Sequence, residues 1–203
     1  MTEVTDTRRR IDGKRAAGIV AAIAVGLVAA LVTWLVLDRN DDEATGTTTQ
    51  AAAVAPAPSS TALQPAIVSA AELRRLASVA GAPVFWAGTR TGTSLEVSRG
   101  TNGAFFVRYL PRDREAGDGR PALTVATYPR TDGFGEVTGA AAREGASSFE
   151  LPGGGLAVID PEAETNVHFA FPERAYQVEV FAPTEGLARQ LVESGAVTQL
   201  EER

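Results

Sequence analysis

The chain has no cysteine and only one histidine, one lysine and one methionine among its 203 residues. Without cysteine there is no disulfide framework, no lipid anchor on a cysteine, no thiol nucleophile and no thiolate zinc site. Stability must come from packing. His168, the single histidine, leaves a histidine-built metal site out of reach, and a Ser-His-Asp arrangement would have to use it. No G-x-S-x-G elbow accompanies it. Lys14 is the only lysine, and all other basic side chains are arginine, a skew that reads as GC-rich coding rather than as a chemical need. Basic charge is also short overall, since the net charge is −6. From residue 67 onward 13 Arg face 18 Asp and Glu, which argues against nucleic acid as a partner.

What is present in strength is one long apolar run. Residues 16–37 read AAGIVAAIAVGLVAALVTWLVL and carry no charge. As a helix the run spans roughly 33 Å at about 1.5 Å per residue, enough for a hydrocarbon core of about 30 Å. Arg8, Arg9, Arg10, Lys14 and Arg15 precede it, while Asp38, Asp41, Asp42 and Glu43 follow with only Arg39 opposing. The positive-inside rule predicts a single-pass membrane protein with a cytoplasmic tail, residues 1–15, and everything after residue 37 extracytoplasmic. Trp34 suits the outer interface. A cleaved signal peptide fits less well: its apolar core is about 7 to 15 residues and ends at small residues, whereas this run ends Trp-Leu-Val-Leu-Asp. Gly18, Ala22, Gly26 and Ala30 recur every four residues, a stripe that permits close helix pairing and a homodimer through the membrane helix. A segment this rich in Ala and Gly also produces such spacing by chance.

Residues 38–66 read as a disordered linker. From Ala44 to Ala66 there is no charge, no aromatic and little apolar bulk, so ordering entropy cannot be offset. As a flexible coil this stretch reaches roughly 25 to 30 Å. Residues 67–203 then form one extracytoplasmic domain of ordinary size.

Local signals predict its elements. Ser69-Ala70-Ala71-Glu72 has capping-box spacing, with Leu73, Leu76 and Ala77 on one helical face and Gly81 and Pro83 as stops. Val84–Ala87 reads as a short strand. Thr93–Arg99 alternates, with Leu95 and Val97 inward and Glu96 and Ser98 outward. Asn102-Gly103 is a hairpin turn into Ala104–Leu110, whose Phe105, Val107 and Tyr109 share a face. After a polar loop, residues 111–121, come a strand Leu123–Tyr128 and a short helix through Phe134, Val137 and Ala141. Gly153-Gly154-Gly155 lacks the Lys-Ser/Thr of a phosphate loop and reads as the turn of a hairpin, Phe149–Leu151 with Leu156–Ile159. Val167, Phe169 and Phe171 alternate with His168, which reads as a surface or hairpin residue. Tyr176–Phe181 is a strand, Thr184 caps a last helix through Leu187, Leu191 and Val192, and Val197–Leu200 is a short strand. Short alternating strands with hairpin turns predict an antiparallel sheet buried on one face by two or three helices, an α+β two-layer sandwich.

No catalytic, cofactor or metal site is expected. Asp113, Glu115 and Asp118 share a loop, but Arg112, Arg114 and Arg120 are interleaved with them and repel a cation. Asp160-Pro161-Glu162-Ala163-Glu164 reads as a turn. The most distinctive stretch is Pro83-Val84-Phe85-Trp86-Ala87-Gly88. With Gly92, Leu95 and Val107-Arg108-Tyr109, it resembles a pattern in uncharacterised single-pass envelope proteins of high-GC bacteria: one N-terminal helix, an Ala/Thr/Pro-rich spacer, then a domain with this Trp-x-Gly segment. The resemblance implies that plan, and no known activity comes with it. Phe85, Trp86 and Tyr109 are then either core or a partly exposed aromatic binding surface. The first functional reading is a non-catalytic binding module of the cell envelope, with a protein or an envelope polymer as partner. The alternative is a transmembrane regulator whose outer domain senses a ligand. A hydrolase is a poor third, because no pair of activating groups stands at a recognisable spacing.

Overall fold

A computed structural model of the chain describes residues 62–159, 161 and 163–200. The chain divides into two units at Gln50 and Ala51, and the described residues all belong to the second. The apolar run 16–37, its stripe Gly18, Ala22, Gly26 and Ala30, and the linker up to residue 61 lie outside them. Among the described residues no helix is long and apolar enough to cross a membrane.

The unit opens with strand β1 (Leu63–Val68) and helix α1 (Ala70–Val79). The linker expected to end at residue 66 overlaps β1, which pairs antiparallel with the strand β3 (Thr93–Arg99). Leu63-Gln64-Pro65-Ala66 has no pattern of its own. Its neighbour's backbone, through a bulge between Leu63 and Ala66, makes it a strand. Helix α1 forms where the capping box predicts. Glu72 N–H donates to Ser69 Oγ (3.2 Å) and Ser69 N–H donates to Glu72 Oε2 (2.8 Å). These bonds from Ser69 hold the Glu72 carboxyl below its usual range. Leu73 is fully buried.

Seven more elements complete the first half: β2 (Phe85–Trp86), β3, β4 (Phe105–Pro111), β5 (Leu123–Pro129), helix α2 (Gly133–Ala141), β6 (Ser147–Leu151) and β7 (Gly155–Ile159). β8 (Asn166–Ala170), β9 (Tyr176–Phe181), helix α3 (Leu187–Glu193) and β10 (Thr198–Gln199) follow. Eight strands make one antiparallel sheet in the order β1-β3-β4-β5-β9-β8-β7-β6, and β10 pairs with β2 in a separate ribbon. The antiparallel α+β class is therefore shown.

Side chains on one face of the sheet form the main core. Val97, Val107, Val125, Val178, Val180 and Val167 are fully buried there. Leu73 of α1 and Ala188, Leu191 and Val192 of α3 cover them. The expected two-layer arrangement is incomplete, because α2 packs on the opposite face. Val137 of α2 meets Val158 and Ala170 in a second cluster. The local reason is Leu156-Ala157-Val158-Ile159, an apolar run without alternation, as in strands covered on both faces. Gly133 permits the close approach: a Cβ there would lie 2.5 Å from the carbonyl oxygen of Tyr176.

Two further expectations are corrected. Helix α3 is capped by Gly186 in the left-handed region, not by Thr184, whose carbonyl accepts from Leu187 N–H (3.2 Å). Glu96, expected to face solvent, is 1% exposed.

Candidate functional site

The face of the sheet opposite the main core carries nearly all of the buried polar side chains. Register aligns them in rows. Glu96 lies opposite Arg108, which lies opposite Thr124; Thr124 lies opposite Phe181, and Phe181 opposite Asn166. The next row runs Ser98, Phe106, Ala126, Glu179, His168 and Val158.

At one end of the first row a buried ion pair holds the polar loop. Arg108 Nη1 donates to Glu96 Oε1 at 2.6 Å. Arg108 Nη2 donates to the carbonyls of Asp118 (2.9 Å) and Arg120 (3.0 Å), and Gly117 N–H donates to Glu96 Oε2. The charges therefore stay buried because each is hydrogen-bonded, and the bonds are spent on the backbone of loop 111–121. Arg114 Nη1 adds a bond to the Pro121 carbonyl (3.2 Å). Arg120 clamps Asp118, and this bond holds the Asp118 carboxyl well below the usual carboxylate range.

At the other end a neutral network surrounds Glu179. Tyr128 Oη donates to Oε2 at 2.8 Å, and Asn166 Nδ2 donates to Oε1 at 2.5 Å. Thr165 Oγ1 donates to Asn166 Oδ1 at 3.0 Å. Burial, reinforced by the Glu179 charge, pushes the Tyr128 phenol far above its ordinary value, so it remains a donor. His168 is 9% exposed rather than a surface residue, with Gln177 Nε2 at 3.4 Å from its Nδ1. Helix α2 on this face explains the burial, and alternation within β8 alone could not reveal it.

Between the loop and α2, Phe106, Thr124 and Phe181 remain half-exposed. The sequence pointed elsewhere for an aromatic surface. Phe85, Trp86 and Tyr109 are 5%, 9% and 3% exposed and belong to the main core. Phe85 packs edge-on against Phe169 with centroids 5.7 Å apart, and the Arg74 guanidinium lies 5.2 Å from the Trp86 ring. Tyr109 Oη accepts from Ala87 N–H at 2.6 Å, and burial raises its phenol to about 12. Both side chains of β2 are buried because Phe85 leans on Phe169 and Tyr176 of the sheet and α1 lays Arg74 over Trp86.

Among the described residues no group of three His, Cys, Asp or Glu side chains could hold a metal ion. A cavity of about 30 Å³ lies against Val84, Phe105, Thr127, Pro129 and Tyr176, room for water but not for a substrate of metabolite size. The signal for the buried pair was available only in pairwise form: Glu96 and Arg108 sit at equal distances from the Asn102 turn, so a hairpin places them face to face. The chain matches no known protein family, no curated protein and no solved structure.

Proposed function

We propose that the chain is a membrane-anchored, non-catalytic binding module of the cell envelope, with residues 16–37 as the anchor and loop 111–121 beside Phe106 and Phe181 as its contact surface. One observation carries this reading. A fully buried carboxylate and its arginine are committed to fixing the backbone of an exposed, charged loop. Apolar replacement of such a pair is often neutral in energy, so its work here is read as fixing shape. Rigid scaffolds that display loops of fixed shape are the usual basis of recognition. The alternating Arg and Asp or Glu of the loop suit a polar protein or polymer surface.

The test uses the full chain in cells. A photo-reactive residue placed at Arg112 or Glu115 should yield one discrete adduct, and Arg108→Ala, which releases the loop, should abolish it. Equal adducts from Gln64 on β1, or none from the loop, would overturn the contact surface. A periplasm-active reporter fused after Arg203 should be active; activity of a cytoplasm-only reporter there would reverse the topology.

A further inference from the structure

The two outer strands of the sheet are unlike. β1 carries Pro65, which has no N–H to donate, and is broken by a bulge. Both features obstruct pairing with another strand. β6 has neither. All five of its residues pair in register with β7, and among the described residues no strand lies along its other side. Its Ser147, Ser148 and Glu150 are exposed, and Phe149 is half-buried under the Arg189 guanidinium, 5.7 Å from the ring.

We infer that β6 pairs antiparallel with β6 of a second copy, about a two-fold axis through Phe149, so that the sheet continues across a homodimer. This rests on the anchor of the proposed function, which holds both copies in one membrane. The register is self-compatible. Ser148 faces Glu150 of the other copy twice, Ser147 faces Leu151, and Phe149 meets itself, so no like charges stand opposite. The axis is perpendicular to the sheet, which keeps α2 with α2 and α3 with α3. Closure favours this occupant over a chain of copies. Joining β6 to β1 head to tail would build an open filament, and the proline and bulge of β1 obstruct it; β6 against β6 ends at two. The seam is about 17 Å long, too small for a stable interface in dilute solution. Anchored neighbours meet at a far higher effective concentration, which the weak seam requires.

Because the chain has no cysteine, introduced thiols report alone. Purified full-length chains carrying Ser148→Cys and Glu150→Cys, on different tags, are mixed, reconstituted in vesicles and mildly oxidised. The expected product is a cross-link between the two tags, with much less within either single variant and none for Gln64→Cys on β1. Adding Ser148→Glu to the Glu150-thiol partner should lower the yield roughly 1.5- to 5-fold, by opposing charges across the seam, while Ser148→Lys should not. Both substitutions are on an exposed side chain and leave the core untouched. No mixed cross-link, or equal yields from every pair including Gln64, would overturn the dimer. If the chain instead washes from the vesicles under alkaline extraction, the anchor reading falls. The same thiol pairs, read on concentrated protein in solution, then decide the dimer by themselves.

Discussion

The two ends of the sheet are finished in different ways. Around β7 and β8 both faces are buried, apolar throughout on β7 but carrying Asn166 and His168 on β8, and helices α2 and α3 cover them with Val137, Leu191 and Val192. Around β3 and β4 only one face is apolar, and the other is closed by an ion pair and a loop. Non-directional burial suffices at the first end, where any side chain of the right volume would serve. At the second end geometry is specified by donors and acceptors that match one backbone conformation. The difference teaches where each end is tolerant: the helical end to sequence, the loop end to almost nothing at Glu96 and Arg108.

The largest effect expected is complete loss of the fold at high pH, and it tests whether buried tyrosines at both ends behave alike. All three tyrosines have raised values, through burial first: Tyr109 to about 12, Tyr176 upward and Tyr128 farther still. A raised phenol means that the folded state holds its proton more tightly. The resulting stability is full below the ordinary value near 10 and is lost as pH climbs through about 12. Tyrosinate absorbance should therefore stay flat past pH 10 and then rise together with unfolding. Titration of Tyr109 or Tyr128 near 10 in folded protein would contradict the burial described.

The second prediction separates charge from packing. Glu96→Ala strands the Arg108 charge and should cost about 3–5 kcal/mol, whereas Glu96→Leu with Arg108→Met should be near neutral in stability but release loop 111–121. Tyr128→Phe, at the other polar cluster, removes one donor from Glu179 and should cost about 1–3 kcal/mol. Denaturant melts rank these, and amide exchange of residues 112–120 reads the loop. A double variant that is severely destabilised would show that the pair holds the fold and not just the loop.

The smallest effect lies at the cap of α1. Ser69→Ala should cost about 0.5–2 kcal/mol. The reciprocal Glu72 carboxylate is exposed and its value is lowered, so its help is present above the ordinary carboxylate value and is lost as pH falls below it through the lowered one. The difference between the wild type and Ser69→Ala melts should therefore narrow in acid; a constant gap would remove Glu72 from the cap.

Much of this layout could be read residue by residue. Ser69 with Glu72, Asn102-Gly103 and Pro152-Gly153-Gly154 act within a few residues, and each produced the element expected. What escaped depends on distant chain. Leu63–Ala66 becomes a strand only because β3 lies beside it. Glu96 and His168 alternate as solvent-facing residues do, and a loop and a helix from elsewhere bury them. Leu156-Ala157-Val158-Ile159 lacks alternation, the mark of a strand covered on both faces, but the expectation of a sheet buried on one face left that signal unused. The candidate surface was the least legible part. Its aromatics, Phe106 and Phe181, differ from the buried Phe105 and Val180 only by one step of the pleat.

The ribbon of β2 with β10 joins Trp86 to Thr198, and Leu200 N–H closes it on the Val84 carbonyl at 2.8 Å. More than 100 residues separate the two sides. Such a closure is among the slowest contacts a chain makes, since so much of it must be confined first. A chain delivered N-terminus first exposes Phe85 and Trp86 long before their cover arrives. Folding of this unit thus waits on distant chain: until Phe169, Tyr176 and β10 emerge, the aromatic centre stays open to chaperones and to wrong partners.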